Sequence, residues 1–349
     1  MANTQTKKAS ESVLKKYKRF LQTIEGGTNT GLPKNLSGIG KLGLFLDFMG
    51  EYLFHGAYLQ DYLQYDFYWK KRRERERYVV HGKLLEIMKT CNNPEHRHCI
   101  EQKPDFNRIF RDFLQRDYLD MTEATEDDFV RFLENKEDFF AKQPDGEFGT
   151  GVQKIYKKDI ADISTAYQTY KEKRFLLEET LTQCKEMAEF NDSSVNTLRV
   201  VTIRKADGNA EVVSALLRVG RKGHIADNFH HMGIAAFLDT CGIVSAQGVD
   251  RNLDRYIVHP DSGKKIVGFE VPIWDQVKET VCNAAQLVPD MRYIGWDVVI
   301  TKDYRVALVE GNCGADPDAE QISSRQGRWP IYRSYLQDIK ALNAQQPRK

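Results

Sequence analysis

The stretch YIGWDVVITKDYRVALVEGNCGAD, residues 293–316, sets Asp297, Glu310 and Asn312 inside two apolar runs separated by a short polar one. Side chains alternate along a strand, so Glu310 and Asn312 share a face while Gly311 points to the other. If the turn at Thr301 to Tyr304 has two or four central residues, Asp297 falls opposite Leu308 or Glu310, on the face of the oxygen donors. A three-residue turn puts it on the wrong side. The opposite face then carries Trp296, Val298, Ile300, Ala307 and Val309, an ordinary core set. A carboxylate buried without a partner is unfavourable, so this cluster calls for solvent or for a hard cation, which prefers oxygen ligands. The plain alternative is a half-exposed hairpin whose acids face water.

Two other stretches carry chemistry. FFAKQPDGEFGTGV, residues 139–152, ends an apolar strand in Lys142 and runs into Gly146, Gly149 and Gly151. Glycines let backbone N–H groups approach phosphate oxygens and a lysine adds a point charge, so the pattern fits a flap over phosphates as well as a plain hairpin turn. FLLEETLTQ, residues 175–183, sets Glu178 and Glu179 where a strand exits toward a second lobe. Backbone groups at such a hinge can pair with adenine and a carboxylate can take a ribose hydroxyl; an acid-rich helix start is the competing reading. SGIGKLG, residues 37–43, matches GxGxxG without a strand before it, so no dinucleotide fold is expected there. The run KKRRERER, residues 70–77, follows a cluster of aromatics. Its interleaved glutamates favour a solvated helix face over a surface for anionic polymers or lipid headgroups.

These groups need a scaffold, and 349 residues suffice for two or three packed units with a sizeable core. Lys and Arg total 51 against 50 Asp and Glu, which leaves no global nucleic-acid footprint. The six cysteines form no CxxC pair and no secretory signal precedes them, so free thiols in the cytoplasm are expected. Cys313, beside the oxygen cluster, has no histidine near it in sequence to make it a nucleophile. No apolar run is long enough to span a bilayer, which leaves peripheral membrane contact open. Residues 1–11 and 343–349 read as frayed polar ends, and residues 12–136 as a mostly helical region closing with a capping box from Thr125 to Asp128. Short strands follow: DFFAK, FLLEE, NTLRVVTI, EVVSALLRVG and the hairpin, with helices at TLTQCKEMAEF and DQVKETVCNAAQL. The class is α+β with largely antiparallel sheets, split into a flap-bearing lobe over residues 137–182 and a second lobe over residues 183–342.

The order of lysine, lysine with Gly-rich loop, Glu-Glu hinge, then Asp and Glu-x-Asn on late strands resembles the ATP-grasp superfamily. NTLRVVT, LRVGRKGHIADNFHHMGI, HPDSGKKIVGFEVPIW and GWDVVIT with EGN look like its sugar-transfer-associated family, as do KPDFNRIF and the aromatic segment upstream, over roughly residues 45 to 335. The resemblance implies a fold of two α+β lobes clasping ATP. It implies that Lys103 and Lys142 contact the phosphates and that Gly146, Gly149 and Gly151 form the flap. Glu178, Glu179 and Leu181 would line adenine and ribose, over a floor of Val299, Val306 and Leu308. Asp297, Glu310 and Asn312 would hold two magnesium ions. Arg199 and Arg218 would orient the acceptor or stabilise the moving phosphoryl group, with a structural ion pair as the alternative, and Asn228 is a further substrate candidate. One departure stands out: the usual Lys-Pro of the flap strand is here Lys142-Gln143-Pro144.

The activity this implies is an ATP- and magnesium-dependent ligase that activates a carboxylate as an acyl phosphate for attack by an amine or other nucleophile. A phosphotransferase using the same site is the alternative. A nucleotide-binding adaptor of a surface-polymer assembly complex is a third reading.

Overall fold

The computed structural model describes residues 12–25, 32, 36–143, 151–223 and 233–345. Its strands are β1 (Tyr118–Asp120), β2 (Asp138–Lys142), β3 (Val152–Tyr156), β4 (Leu176–Glu179), β5 (Thr197–Arg204), β6 (Ala210–Val219), β7 (Ile234–Phe237), β8 (Gly248–Val249), β9 (Arg255–Tyr256), β10 (Tyr293–Ile300) and β11 (Val306–Asn312). They form a small sheet ordered β1-β4-β2-β3 and a large one ordered β11-β10-β5-β6-β7-β8-β9. The pairings within both are antiparallel, as short apolar runs joined by brief connections require.

Alternation along β2 buries Phe139 and Ala141 against Phe175, Leu177 and the aromatic face of the helix Glu126–Leu133. That helix starts where expected: Thr125 Oγ1 accepts from the Asp128 N–H at 3.2 Å, and Asp128 Oδ2 accepts from the Thr125 N–H at 2.8 Å. The helix and β1 both come from sequence before residue 137, so the small sheet's core begins upstream of the compositional change.

One face of the large sheet packs Leu198, Val200, Leu217, Trp296 and Val298 against the helix Trp274–Gln286. On the other face Val201, Ile203 and Tyr293 meet the helices His81–Cys91 and Trp329–Gln345. Farther across it, Leu216, Ala235 and Val249 lie under Phe20, Phe45, Phe48 and Tyr62 of the N-terminal helices. The aromatic N-terminal region is thus a cover for this face. Arg199 pairs with Leu216 on one side and Asp297 on the other, two residues along β5 from Val201 and so on the same face.

Several local expectations meet the backbone directly. GxGxxG opens the helix Gly38–His55, capped by Ser37 Oγ accepting from the Gly40 N–H at 3.1 Å, and among the described residues the element before it is the helix Val13–Glu25. KKRRERER includes a short helix, Arg72–Arg75, and its charges face solvent apart from Lys70 and Arg75. TLTQCKEMAEF departs from its expectation: only Lys185–Ala188 is helical, because Gln183 bridges to Thr301 and carries the chain from β4 onto the large sheet. Among the described residues no helix is long and apolar enough to cross a membrane. The six cysteines are free thiols, and burial pushes the Cys313 thiol well above its usual range, unlike an activated nucleophile.

Candidate active site

The hairpin brings its oxygen donors together by a route the sequence reading excluded. Its turn is the three-residue form, closed by the Thr301 N–H donating to Arg305 O at 2.9 Å, with Tyr304 left-handed at φ 54°. Ile300 therefore pairs with Val306 and Val298 with Leu308, which alone would leave Asp297 facing Val309. A β-bulge intervenes between Val298 and Asp297, and Glu310 becomes the partner of Asp297. The expected floor changes accordingly: Val306 and Leu308 belong to the main core with Trp296, Val298 and Ile300, and Val299 pairs with Ala307.

Asp297 is 4% exposed and lies between two arginines. Arg199 Nε donates to its Oδ1 at 2.5 Å and Arg199 Nη2 to Oδ2 at 3.1 Å. Arg218 Nη2 donates to Oδ2 at 2.6 Å, and its guanidinium is fixed by Thr197 Oγ1, which accepts from Nε at 2.9 Å. Burial would raise the Asp297 pKa; the two guanidiniums override it and hold the carboxyl well below the usual range. Gly295 makes room for this. A Cβ there would come within 2.5 Å of Ala315 Cβ and 3.3 Å of Arg199 Cδ.

Glu310 behaves oppositely. It is exposed to solvent, yet the atoms packed around its carboxyl and the Asp297 charge push its pKa up to about 7. Desolvation is the main cause, then the Asp297 charge and the hydrogen bond between the two carboxyls, with Arg199 and Lys142 pulling the other way. Asn312, paired with Gly295, turns its Oδ1 to the Gly314 N–H at 2.7 Å. Two carboxyls that compete for a proton beside an amide oxygen suit a divalent cation, which would relieve the repulsion. No cluster of three or more His, Cys, Asp or Glu side chains suited to a metal occurs among the described residues, so the amide is needed to complete the set.

The small sheet supplies the second half. Glu178, 4% exposed, accepts from Lys142 Nζ at 2.7 Å, Arg116 Nε at 2.9 Å and Asn107 Nδ2 at 3.0 Å. Burial opposes its charge, but Arg116 and Lys142 hold its carboxyl far below the usual range. Its hydrogen bonds therefore run inward. Glu179 Oε2 accepts from the Asp117 N–H at 3.0 Å and extends the β1–β4 ladder, and Leu181 is half-buried in the hinge before the Gln183–Thr301 bridge. Lys103 opens the short helix Lys103–Ile109, which carries Asn107 and packs Phe106 beneath Gly311. Gly151, at φ 78°, accepts at its O from the Gln143 N–H at 3.0 Å, next to Lys142. Gly146, Gly149 and Asn228 lie outside the described residues.

The sequence reading missed Arg116 and Asn107. Arg116 is a side-chain link between the sheets: besides Glu178 it donates to Leu308 O at 2.6 Å and Val309 O at 3.2 Å, the carbonyls at the bulge. In RDFLQRDYLD nothing but a charge next to a short apolar run marked it. Arg116→Ala leaves Glu178 short of a partner and strips the bulge carbonyls, and is expected to destabilise the fold by about 3–5 kcal/mol. Urea unfolding measures this; an unchanged midpoint would remove Arg116 from its linking role.

The sequence matches the family described as sugar-transfer associated ATP-grasp over residues 124–333, more than half of the chain. The match is narrower than the likeness read from motifs, and it leaves Lys103, Asn107 and Arg116 outside. Among solved structures, the ATP-grasp ligase PsnB complexed with minimal precursor is 18% identical with a TM-score of 0.46, covering 76% of this chain and 71% of its own. D-alanyl-alanine synthetase A from Vibrio cholerae O1 biovar eltor is 12% identical with a TM-score of 0.43, covering 70% and 68%. No curated protein matches the sequence.

Proposed function

The chain belongs to the sugar-transfer associated ATP-grasp family, and from that premise we propose that it is an ATP-dependent, ADP-forming ligase that activates a carboxylate and passes the acyl group to an amine or other nucleophile. The observation that carries this reading is the convergence of Lys142, Arg199, Arg218, Asp297 and Glu310, drawn from both sheets into one electrostatic field. In this proposal Lys103 and Lys142 bind the ATP phosphates, and the loop over residues 143–151 covers them through Gly146, Gly149 and Gly151. Glu179 and Leu181 at the hinge line adenine and ribose. Asp297, Glu310 and Asn312 hold two magnesium ions, which when bound neutralise charge on the transferring phosphoryl group.

A substrate carboxylate oxygen attacks the γ-phosphorus, the bond to the ADP oxygen breaks and ADP leaves. The nucleophile then attacks the acyl carbon, expelling inorganic phosphate and losing its proton. Arg199 and Arg218 carry planar forks suited to orienting a carboxylate or the acyl phosphate. Their grip on Asp297 keeps them aligned before substrate arrives.

ATP is expected to raise the melting temperature only with magnesium present, since a ligand that binds the native state alone stabilises it. Lys142→Ala should lose most of that shift relative to its own baseline; equal shifts with and without metal would overturn the proposed site. An ADP-release screen of candidate acids with hydroxylamine then tests the chemistry. A trapped hydroxamate supports the ligase reading, and a stable phosphorylated product replaces it with a phosphotransferase. ATP binding without ADP release for any acid replaces it with a nucleotide-binding adaptor.

A further inference from the structure

The helix Gly38–His55 buries Phe45 and Phe48 on one side, yet its other side is apolar too. Ile39 is 86% exposed, Leu42 48%, Leu46 62%, Leu53 66% and Phe54 82%. At 3.6 residues per turn these side chains fall on a single face, together with Gly43 and Gly50, beside whose Cβ positions nothing lies within 4 Å. A contiguous apolar stripe along a whole helix is rare on the surface of a free monomer and marks a contact site.

Charge identifies the occupant. A groove of about 620 Å³ lies beside the C-terminal half of the stripe, its walls including Leu46, Gly50, Phe54 and Arg72 together with Asp47 and Glu51. Arg72, whose Nε donates to Glu76 Oε1 at 3.0 Å, is flanked in sequence by Lys71 and Arg73, and all three are exposed. The acids nearest the stripe are already taken: Arg75 Nη1 donates to Asp47 Oδ1 at 2.9 Å and to Glu51 Oε1 at 3.0 Å, and Tyr62 Oη donates to Asp47 Oδ2 at 2.6 Å. A second copy of the chain on this face would oppose like charges, whereas an anionic surface meets them with opposite charge. We propose that Gly38–His55 and the adjoining cations dock the protein on an anionic membrane, the stripe lying in the acyl boundary and Lys71, Arg72 and Arg73 at the headgroup phosphates. At 18 residues with charges along its length the helix does not span; it lies in the interface plane.

The test is co-sedimentation of the full chain with vesicles of phosphatidylcholine alone or mixed with phosphatidylglycerol, alongside sedimentation velocity without lipid. Binding is expected only to the mixed vesicles and should weaken as salt screens the cations. Leu46→Glu with Leu53→Glu should weaken it about tenfold or more, and Arg72→Glu with Arg73→Glu should weaken it comparably. Because these side chains are exposed, the melting temperature and the magnesium-dependent ATP shift should stay as in wild type. No binding to either vesicle, or binding that survives both variants, would overturn the proposal. So would a lipid-free dimer that Leu46→Glu with Leu53→Glu converts to monomer, which would make the stripe an interface between copies.

Discussion

Glu310→Gln is expected to lower ATP-dependent turnover by orders of magnitude while leaving the free protein at least as stable as wild type in alkaline solution. The two effects have one cause. In the free protein Glu310 faces the Asp297 charge in a poorly solvated setting, and its pKa rises to about 7. Below the ordinary carboxyl value both folded and unfolded chains hold the proton, and the group adds nothing to stability. As pH rises from there the unfolded chain ionises first, so Glu310 destabilises the fold progressively, reaching the full amount above about 7. Glutamine keeps the shape and removes that penalty, but it also removes a negative charge where the proposal places two divalent ions. Asn312→Ala should impair turnover less, because water can replace a neutral ligand. Melting scans across pH and ADP formation on the same preparations decide it. A fully active Glu310→Gln protein, or one whose stability relative to wild type ignores pH, would return this hairpin to ordinary structure.

Much of this site was legible because its residues obey local rules. The short apolar runs give β2, β4, β5, β6, β10 and β11, and Thr125 with Asp128 marks a helix start by side-chain chemistry alone. What the sequence hid was whatever depends on one extra residue or on a distant partner. The bulge that turns Glu310 toward Asp297 has no compositional signature in RVALVEGN, and without it the observed turn would separate the two carboxyls. The pairing of Glu178 with Arg116, Lys142 and Asn107 joins residues far apart in the chain, so Glu178 read as a ribose contact at a hinge. Of the competing readings for Arg199 and Arg218, substrate binding or structural ion pair, the structure displays the ion pair: both are paired to Asp297, and Arg199 also lowers the Glu310 pKa. Tertiary context also shortened TLTQCKEMAEF, where bridging to Thr301 outweighed helical propensity.

Asp297→Asn makes the same chemical change as Glu310→Gln and is expected to do the opposite to stability. Asp297 is the shared counter-charge of two arginines whose side chains are only 18% and 9% exposed. An amide in its place turns N–H groups toward guanidinium N–H groups and leaves buried positive charge uncompensated, a loss of about 3–5 kcal/mol at neutral pH. Turnover should vanish with it, since Arg199 and Arg218 lose the group that aligns them. The sign of the pH dependence follows from the depressed carboxyl. Asp297 contributes its stability in full above the unfolded value of roughly 4, and loses it as pH falls through the lower folded value. The gap between wild type and Asp297→Asn should therefore stay open from neutral pH down to about 4 and close only in stronger acid. Adding Arg199→Gln to Asp297→Asn removes part of the uncompensated charge and should recover part of the lost stability, a coupling that two independent sites would not show. Urea unfolding of the wild type, both single variants and the double variant measures it. Simple additivity, or an Asp297→Asn protein as stable as wild type, would mean that the arginine cluster does not rest on Asp297.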